Sequence, residues 1–426
     1  MLKQRRAFLA LLAVGITCAL WVRPFSWALD RGEPDARDFA PVIAGAHCLF
    51  HTCNPYDSQT VEEFFRQLTG HGVYIVPEVP VYPPSSFLAI SPLLSLTWRP
   101  MYVTLTVVGA GLLLAAYILL ILRFELFTDV VAYLPIVFAI QSGIMFPALW
   151  TGQPAVIAVA TGAIGIILLI SGSTRVFATL LLGVSLALKP QLVLAPALYL
   201  VVRKPTRKYG VAALAIAAIF FVAGTALLYG QLHSLAFFAR ESANMKLALQ
   251  PGHLSDPSNA NPDSAGFLNL QVPLYRLIPN LRVDNLLTDI VALVFLLGLA
   301  YAYWRETAAR ERPYTVIAVL ALISLISIYH RHYDRLLILL LIPALWELRH
   351  LSRLFYWNLT ALIFLWIFNQ RLLSHIPARA GEFPYTPLVE VVICGVFLAS
   401  LFHDGDTGDA SHSFAAESAA PSALLT

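Results

Sequence analysis

Apolar residues in this chain are gathered into long uninterrupted runs. They fall near 7–29, 101–122, 128–148, 153–171, 175–188, 190–202, 209–230, 285–303, 313–329, 335–348, 354–371 and 387–402. A helix crosses a bilayer with about 20 apolar residues, and several of these runs are shorter, so broken or tilted helices are expected. The pattern predicts an all-α polytopic membrane protein with about twelve transmembrane helices, within a range of 10–14. The first run follows Lys3, Arg5 and Arg6 but is too long for a signal core and lacks an A-x-A site, so it is read as an uncleaved span.

Orientation follows from the short basic loops. RKPTRK (203–208), RETAARER (305–312) and ELRHLSR (347–353) are expected in the cytosol. Both termini then lie in the cytosol, and residues 30–100 and 231–284 form two large extracytoplasmic loops of one domain, 1–402. The acidic, Ser/Ala-rich tail 403–426 is expected to be disordered and cytosolic. Residues 85–96 read either as a short span or as a re-entrant piece. Arg123 and Arg175 favour the re-entrant reading, which makes both cytosolic. This organisation fits a plasma (inner) membrane protein.

Composition agrees with the pattern. The 426 residues are 58% hydrophobic and only 12% charged, about half the charged fraction of soluble domains. A net charge of +3 gives no footprint for nucleic acid. No Walker loop, GxGxxG or CxxC is present, so neither a nucleotide nor an organic cofactor is implied. A divalent metal stays open. DGD (404–406) lies in the tail without a nucleotide-binding fold and carries no weight.

The candidate chemistry lies in the outer loops. After Asp38, apolar residues at Phe39, Val42, Ile43, Ala46, Leu49 and Phe50 share one helical face, expected to lie on the membrane surface. Asp35 reads as the N-cap and Asp38 as the third helical residue, which suits the helix dipole. A catalytic Asp38 is compatible with that placement. His47, Cys48, His51 and Cys53 are too closely spaced for the usual zinc ligand pairs. In an oxidising compartment Cys48 and Cys53 are expected to form a disulfide, with free thiols as the alternative. His47 and His51 are given no chemistry.

Lys189 interrupts two apolar runs in ALKPQ, as a snorkelling lysine or a phosphate ligand. YHRHYDR (329–335) puts His330, Arg331, His332 and Arg335 in one outer turn, against the positive-inside tendency. An anionic ligand is the favoured compensation; Asp334 and phospholipid headgroups are the others. Asn269, Gln271 and Arg276 in FLNLQVPLYRL read equally as substrate contacts or helix orienters. Gln153 in TGQP reads as a substrate contact or a cap.

Taken in order, DF at 38–39, a short helix, NPYD, YPP at 82–84, GQP at 152–154, LALKPQLVL, NLQVPLYRL and HRHYDRLLILLLIP resemble a GT-C membrane glycosyltransferase of glycosyltransferase family 87. The resemblance implies a GT-C fold and transfer of a hexose, with mannose the family default, from a polyprenyl-phosphate sugar. It implies a glycolipid or glycan acceptor on the extracytoplasmic face. It matches Asp38 to the candidate base of the first outer loop. Residues able to stabilise a leaving phosphate are then Lys189, His330, Arg331, His332 and Arg335. Tyr82, Gln153, Asn269, Gln271 and Arg276 become substrate contacts. FLNLQVPLYRL departs from the more polar element common in relatives, which leaves the acceptor open. The alternative is a transporter or flippase of a lipid-linked or anionic substrate, whose ionisable residues would lie deep within spans.

Overall fold

A computed structural model describes residues 12, 14–22, 25–26, 29–30, 36, 38–70, 80–124, 145–250, 253, 255–258, 267–349, 351, 353–373 and 384–403. Asp35, the apolar run at 128–144, the tail 404–426 and the side chain of His332 lie outside that set. Among the described residues the secondary structure is helical, apart from one isolated antiparallel bridge between Phe267 and Arg331.

The helices in chain order are α1 (Ala40–Cys48), α2 (Ser58–Thr69), α3 (Pro84–Ile90), α4 (Trp98–Arg123), α5 (Met145–Trp150), α6 (Ala155–Ser171), α7 (Arg175–Leu188), α8 (Pro190–Val202) and α9 (Arg207–Leu232). They continue with α10 (Ala236–Ala248), α11 (Gln271–Leu277), α12 (Leu281–Arg305), α13 (Thr307–Glu311), α14 (Pro313–Ser327), α15 (Ile338–Leu348), α16 (Arg353–Leu373) and α17 (Thr386–Ser400). Among the described residues α4, α9 and α12, of 26, 26 and 25 residues, are long and apolar enough to cross a membrane. Shorter apolar helices, among them α6, α7, α8, α14 and α17, pack between them. The expected twelve spans thus take a coarser form: three clear spanning candidates and a set of short apolar helices.

The centre of the bundle is α14, where every residue from Pro313 to Ile326 is buried. It packs against α15, α17, α8 and α12. A helix apolar on all sides belongs in such a position or in lipid. α9 and α12 show the second case, with Ile219, Val222, Leu293, Val294 and Leu297 exposed. Residues 85–96 are not one continuous helix. They form α3 and a 3-10 turn, Ser91–Ser95, and a seven-residue helix reaches only about 10 Å. α3 enters the bundle against α9, α1 and α7. Gly224 permits that approach, since a Cβ there would collide with the Pro84 carbonyl.

Two expectations for the first loop are corrected. α1 does not lie on a surface: all of its residues but His47 are buried. Its small residues let neighbours close in on the side opposite the apolar face, and Phe87 occupies the space a Gly45 side chain would need. Asp38 also precedes the helix rather than sitting in it. The two-faced helix is α2, with Val61 and Phe65 buried and Glu62, Glu63 and Arg66 exposed. NPYD does not end α1, which stops at Cys48, ahead of Asn54; it starts the next helix. Asn54 Oδ1 accepts from Tyr56 N at 3.1 Å, and Asp57 Oδ1 caps α2 by accepting from Gln59 N at 3.4 Å.

Cys48 and Cys53 are joined by a disulfide, with Cα atoms 5.1 Å apart. The bridge ties the end of α1 to the strand of chain entering NPYD. Its short loop limits the chain-entropy contribution to about 2 kcal/mol. Cys48→Ser with Cys53→Ser is therefore expected to lower the melting temperature modestly, and reductant to do the same to the wild type. An unchanged melting temperature in both would show that the bridge does not stabilise the fold.

Candidate active site

Five separate segments meet near Asp38. The first is the turn before α1. Asp38 is 4% exposed, and its backbone N–H donates to Thr151 O at 3.1 Å. The second is the turn Thr151–Gln153. Gly152 has φ +65, and a Cβ there would lie 2.9 Å from Phe39 Cβ. Glycine meets both demands, and lets this turn close onto the Asp38 turn. The third is the break at Lys189. Pro190 cannot extend α7, so it opens α8 and leaves Lys189 between the two helices with φ −154. Ser86 Oγ donates to the freed Leu188 carbonyl at 2.6 Å.

The fourth segment is 267–271. It runs antiparallel to 326–331, with Leu268 N donating to His330 O and Leu270 N to Ile326 O, each at 3.0 Å. The fifth is the turn from Tyr329 into the 3-10 helix His332–Leu337.

Asp334 organises the cations. Its Oδ1 lies 2.9 Å from Lys189 Nζ and its Oδ2 lies 2.9 Å from His330 Nδ1. All three side chains are buried. Burial pushes the Asp334 carboxyl up, but the Lys189 and His330 charges and hydrogen bonds outweigh it and hold it below the ordinary carboxylate range. The other ring nitrogen of His330 lies 3.5 Å from Ser324 Oγ. This Ser–His–Asp array is not a hydrolase triad. The Ser324 hydroxyl donates to Gln191 O at 2.6 Å, so toward His330 it is an acceptor.

Arg331 faces the other carboxylate. Its Nη1 lies 3.7 Å from Asp38 Oδ1, while its Nε donates to the Tyr329 hydroxyl at 2.8 Å. Asp38 Oδ2 is buried and has no hydrogen-bond partner among the described residues.

A polar chain runs between these groups. The Tyr82 hydroxyl donates to Gln153 Oε1 at 3.1 Å, and Gln153 Nε2 donates to the Tyr333 hydroxyl at 2.7 Å. Lys189 Nζ sits 5.1 Å from the Tyr333 ring centroid. Gln153 also caps α6, accepting from Ala155 N at 3.3 Å.

α10 clamps the far end of the chain. Asn244 Nδ2 donates to Tyr56 O at 2.7 Å and Pro80 O at 3.0 Å, and the Tyr56 hydroxyl donates to Tyr82 O at 3.0 Å. Glu241 stands beside Tyr56. Burial raises its carboxyl to about 7, against the lowering effect of the Tyr56 hydrogen bond. A raised carboxyl pKa means the folded state holds a proton that the unfolded state releases near pH ~4.3. The clamp is therefore strongest below that pH and weakens as pH rises through about 7. Hydrogen exchange in α10 is expected to be faster at about pH 8.5 than at about pH 5.5 after correction for intrinsic rates, and Glu241→Gln to remove the difference. An unchanged pH dependence in Glu241→Gln would assign it to another group.

The site residues expected from sequence thus divide. Asp38, Arg331, Lys189, His330, Gln153 and Tyr82 share the region just described. Arg335 does not join them. Its Nη2 donates to Thr386 Oγ1 at 3.2 Å and its charge faces Glu390 of α17, because a turn of 3-10 helix carries it away from Arg331. Asn269 and Gln271 bond to each other at 2.7 Å, and Gln271 bonds to Asn285. Arg276 occupies the last turn of α11.

Sequence reasoning missed Tyr333, Ser324 and Asn244. It named Asp334 only as a minor compensating charge. The signal for Asp334 was present, since it is the one acid in HRHYDR. Among the described residues no group of three His, Cys, Asp or Glu side chains is arranged to hold a metal.

No curated protein and no solved structure matches the chain. The family model described as glycosyltransferase family 87 matches residues 81–328, more than half of the chain. Tyr82, Gln153, Lys189, Asn269, Gln271 and Arg276 fall inside that match; the 329–335 turn follows it directly, and Asp38 lies well before its first residue, 81. With its bundle of apolar helices closing on a buried set of acids and bases, this membrane protein belongs to glycosyltransferase family 87 and is a glycosyltransferase.

Proposed function

We propose that the protein transfers a hexose, mannose by family default, from a polyprenyl-phosphate sugar to a glycolipid or glycan acceptor at the extracytoplasmic face of the plasma membrane. The observation that carries this reading is the Asp38 carboxylate. One oxygen lies 3.7 Å from Arg331, and the other is buried without a hydrogen-bond partner among the described residues. A base needs such a free oxygen, and a leaving phosphate needs such a neighbouring cation.

The acceptor hydroxyl gives its proton to Asp38 Oδ2, and its oxygen attacks the anomeric carbon from the face opposite the phosphate. The bond from that carbon to the phosphate oxygen breaks, and its electron pair leaves on the polyprenyl phosphate. Arg331 balances the charge there, with Lys189 and His330 behind it. The anomeric configuration inverts. A donor anchored in the bilayer suits a site built at helix ends. It also suits a chain without a nucleotide-binding motif.

Transfer from radiolabelled polyprenyl-phosphomannose in membranes carrying the protein tests the reading. Label is expected in a lipid- or glycan-linked product. Absence of transfer from that donor and from its glucosyl counterpart would reject the donor class.

A further inference from the structure

Beyond the Asp38 region lies a second group of buried polar atoms, at the junction of α11, α12 and α17. Asp284 and Thr288 are both 0% exposed. Neither carboxylate oxygen of Asp284 has a hydrogen-bond partner among the described residues, nor does Thr288 Oγ1. Asp284, Thr288 and Ala292 follow one another at i, i+4 and i+8, so they share a face of α12. Further along the same helix, contacts of Gly298 with Leu398 and of Gly395 with Phe295 set α12 and α17 side by side and parallel. That register brings Asp284 level with the first residues of α17.

The amide row of the fourth segment leads to this place. Asn269, 1% exposed, donates through Nδ2 to Gln271 Oε1, and Gln271 Nε2 donates to Asn285 Oδ1. Asn269 Oδ1 is left buried without a partner among the described residues. The unmatched atoms on Asp284, Asn269 and Thr288 are all able to accept: two carboxylate oxygens, an amide oxygen and a hydroxyl. Buried polar atoms are normally paired, and an unpaired buried carboxylate is costly. A set of acceptors is matched by a ligand that brings donors.

We propose that Asp284, Thr288 and Asn269 form a subsite for the hydroxyl groups of the acceptor's sugar or polyol head. Asp284 and Asn269 accept from its hydroxyls. The Thr288 hydroxyl accepts or donates in return. Asn269 follows Phe267 and Leu268, which pair with Arg331 and His330, and so joins the subsite to the segment that carries Arg331. The proposal rests on the glycosyltransferase reading above and adds the residues that select the acceptor.

The test uses the full chain in nanodiscs with octyl α-mannoside as the probe. Octanol and octylammonium are the controls. Octyl mannoside is expected to bind, and Asp284→Asn and Thr288→Val each to weaken it roughly tenfold or more, as loss of a hydrogen bond to a charged or buried group does. Asp284→Asn is expected to keep the wild-type melting temperature, because it removes an unpaired buried charge. In transfer assays it raises KM for the acceptor and not for the polyprenyl-phosphate donor.

Equal binding of octanol, undiminished binding by both variants, or a matching rise in donor KM would overturn the subsite. Preference for octylammonium would make it an amine site instead, and a lower melting temperature for Asp284→Asn would make the carboxylate structural. If the wild type transfers no sugar from any polyprenyl-phosphate donor yet still binds octyl mannoside through Asp284, the donor reading fails and the subsite stands.

Discussion

Asp38→Asn is expected to lower sugar transfer by about 10²–10⁴-fold, the usual contribution of a positioned general base. The amide keeps the size of the carboxylate but cannot take the acceptor's proton. The fold should tolerate the change. Asp38 is held through its backbone N–H bond to Thr151 and through the packing of Phe39, 5.7 Å from the Trp98 ring, neither of which involves the carboxylate. The carboxylate itself meets Arg331 at 3.7 Å, a loose ion pair. Initial rates in proteoliposomes decide the matter, alongside melting temperatures for both proteins. Near-normal transfer by Asp38→Asn would remove Asp38 from the role of base. A large fall in melting temperature would make the residue structural.

The second large effect is on stability. Asp334→Ala should cost about 3–5 kcal/mol, because it leaves Lys189 and His330 buried without their shared anion. Adding Lys189→Met is expected to return much of that loss, since the lone buried ammonium goes with it. Melting curves of the single and double variants measure the coupling. If the double variant is no more stable than the single one, the Lys189–Asp334 pair is not what holds the turn.

The pH dependence has a defined sign. The folded pKa of Asp334 lies below its unfolded value of about 3.9, so its contribution is complete at neutral pH. It is lost as pH falls below that value and the folded carboxylate takes up a proton.

Much of the frame was readable from sequence because it depends on local rules. The apolar runs 175–188 and 190–202 coincide with α7 and α8, since a proline after Lys189 can only break the helix there. DF and GQP each mark a turn, and YPP marks the start of α3. Partner choice was not readable in the same way. Arg331 and Arg335 look equivalent in HRHYDR, yet one faces Asp38 and the other faces a helix that begins at Thr386. Only the tertiary arrangement separates them. α1 was misplaced because an apolar stripe at helical spacing has the same form whether it meets lipid or protein. What marks protein contact is the opposite face, with Ala40, Ala44 and Gly45 where a surface helix would carry polar side chains. Asn244 gave no signal at all, because a lone asparagine in a segment read as a loop is unremarked until its two carbonyl partners are placed.

The Lys189–Asp334 pair has a consequence for biogenesis. The two residues are 145 positions apart. At a synthesis rate of about 5–20 residues per second, Lys189 emerges roughly 7–30 s before its counter-ion. During that interval α7 and α8 cannot settle at their final depth without burying a naked ammonium. They should wait with the lysine at the headgroup level until Asp334 arrives. Nascent chains arrested before residue 334 are thus expected to leave Lys189 open to amine-reactive labels. Release of a chain extending past the 329–335 turn closes it.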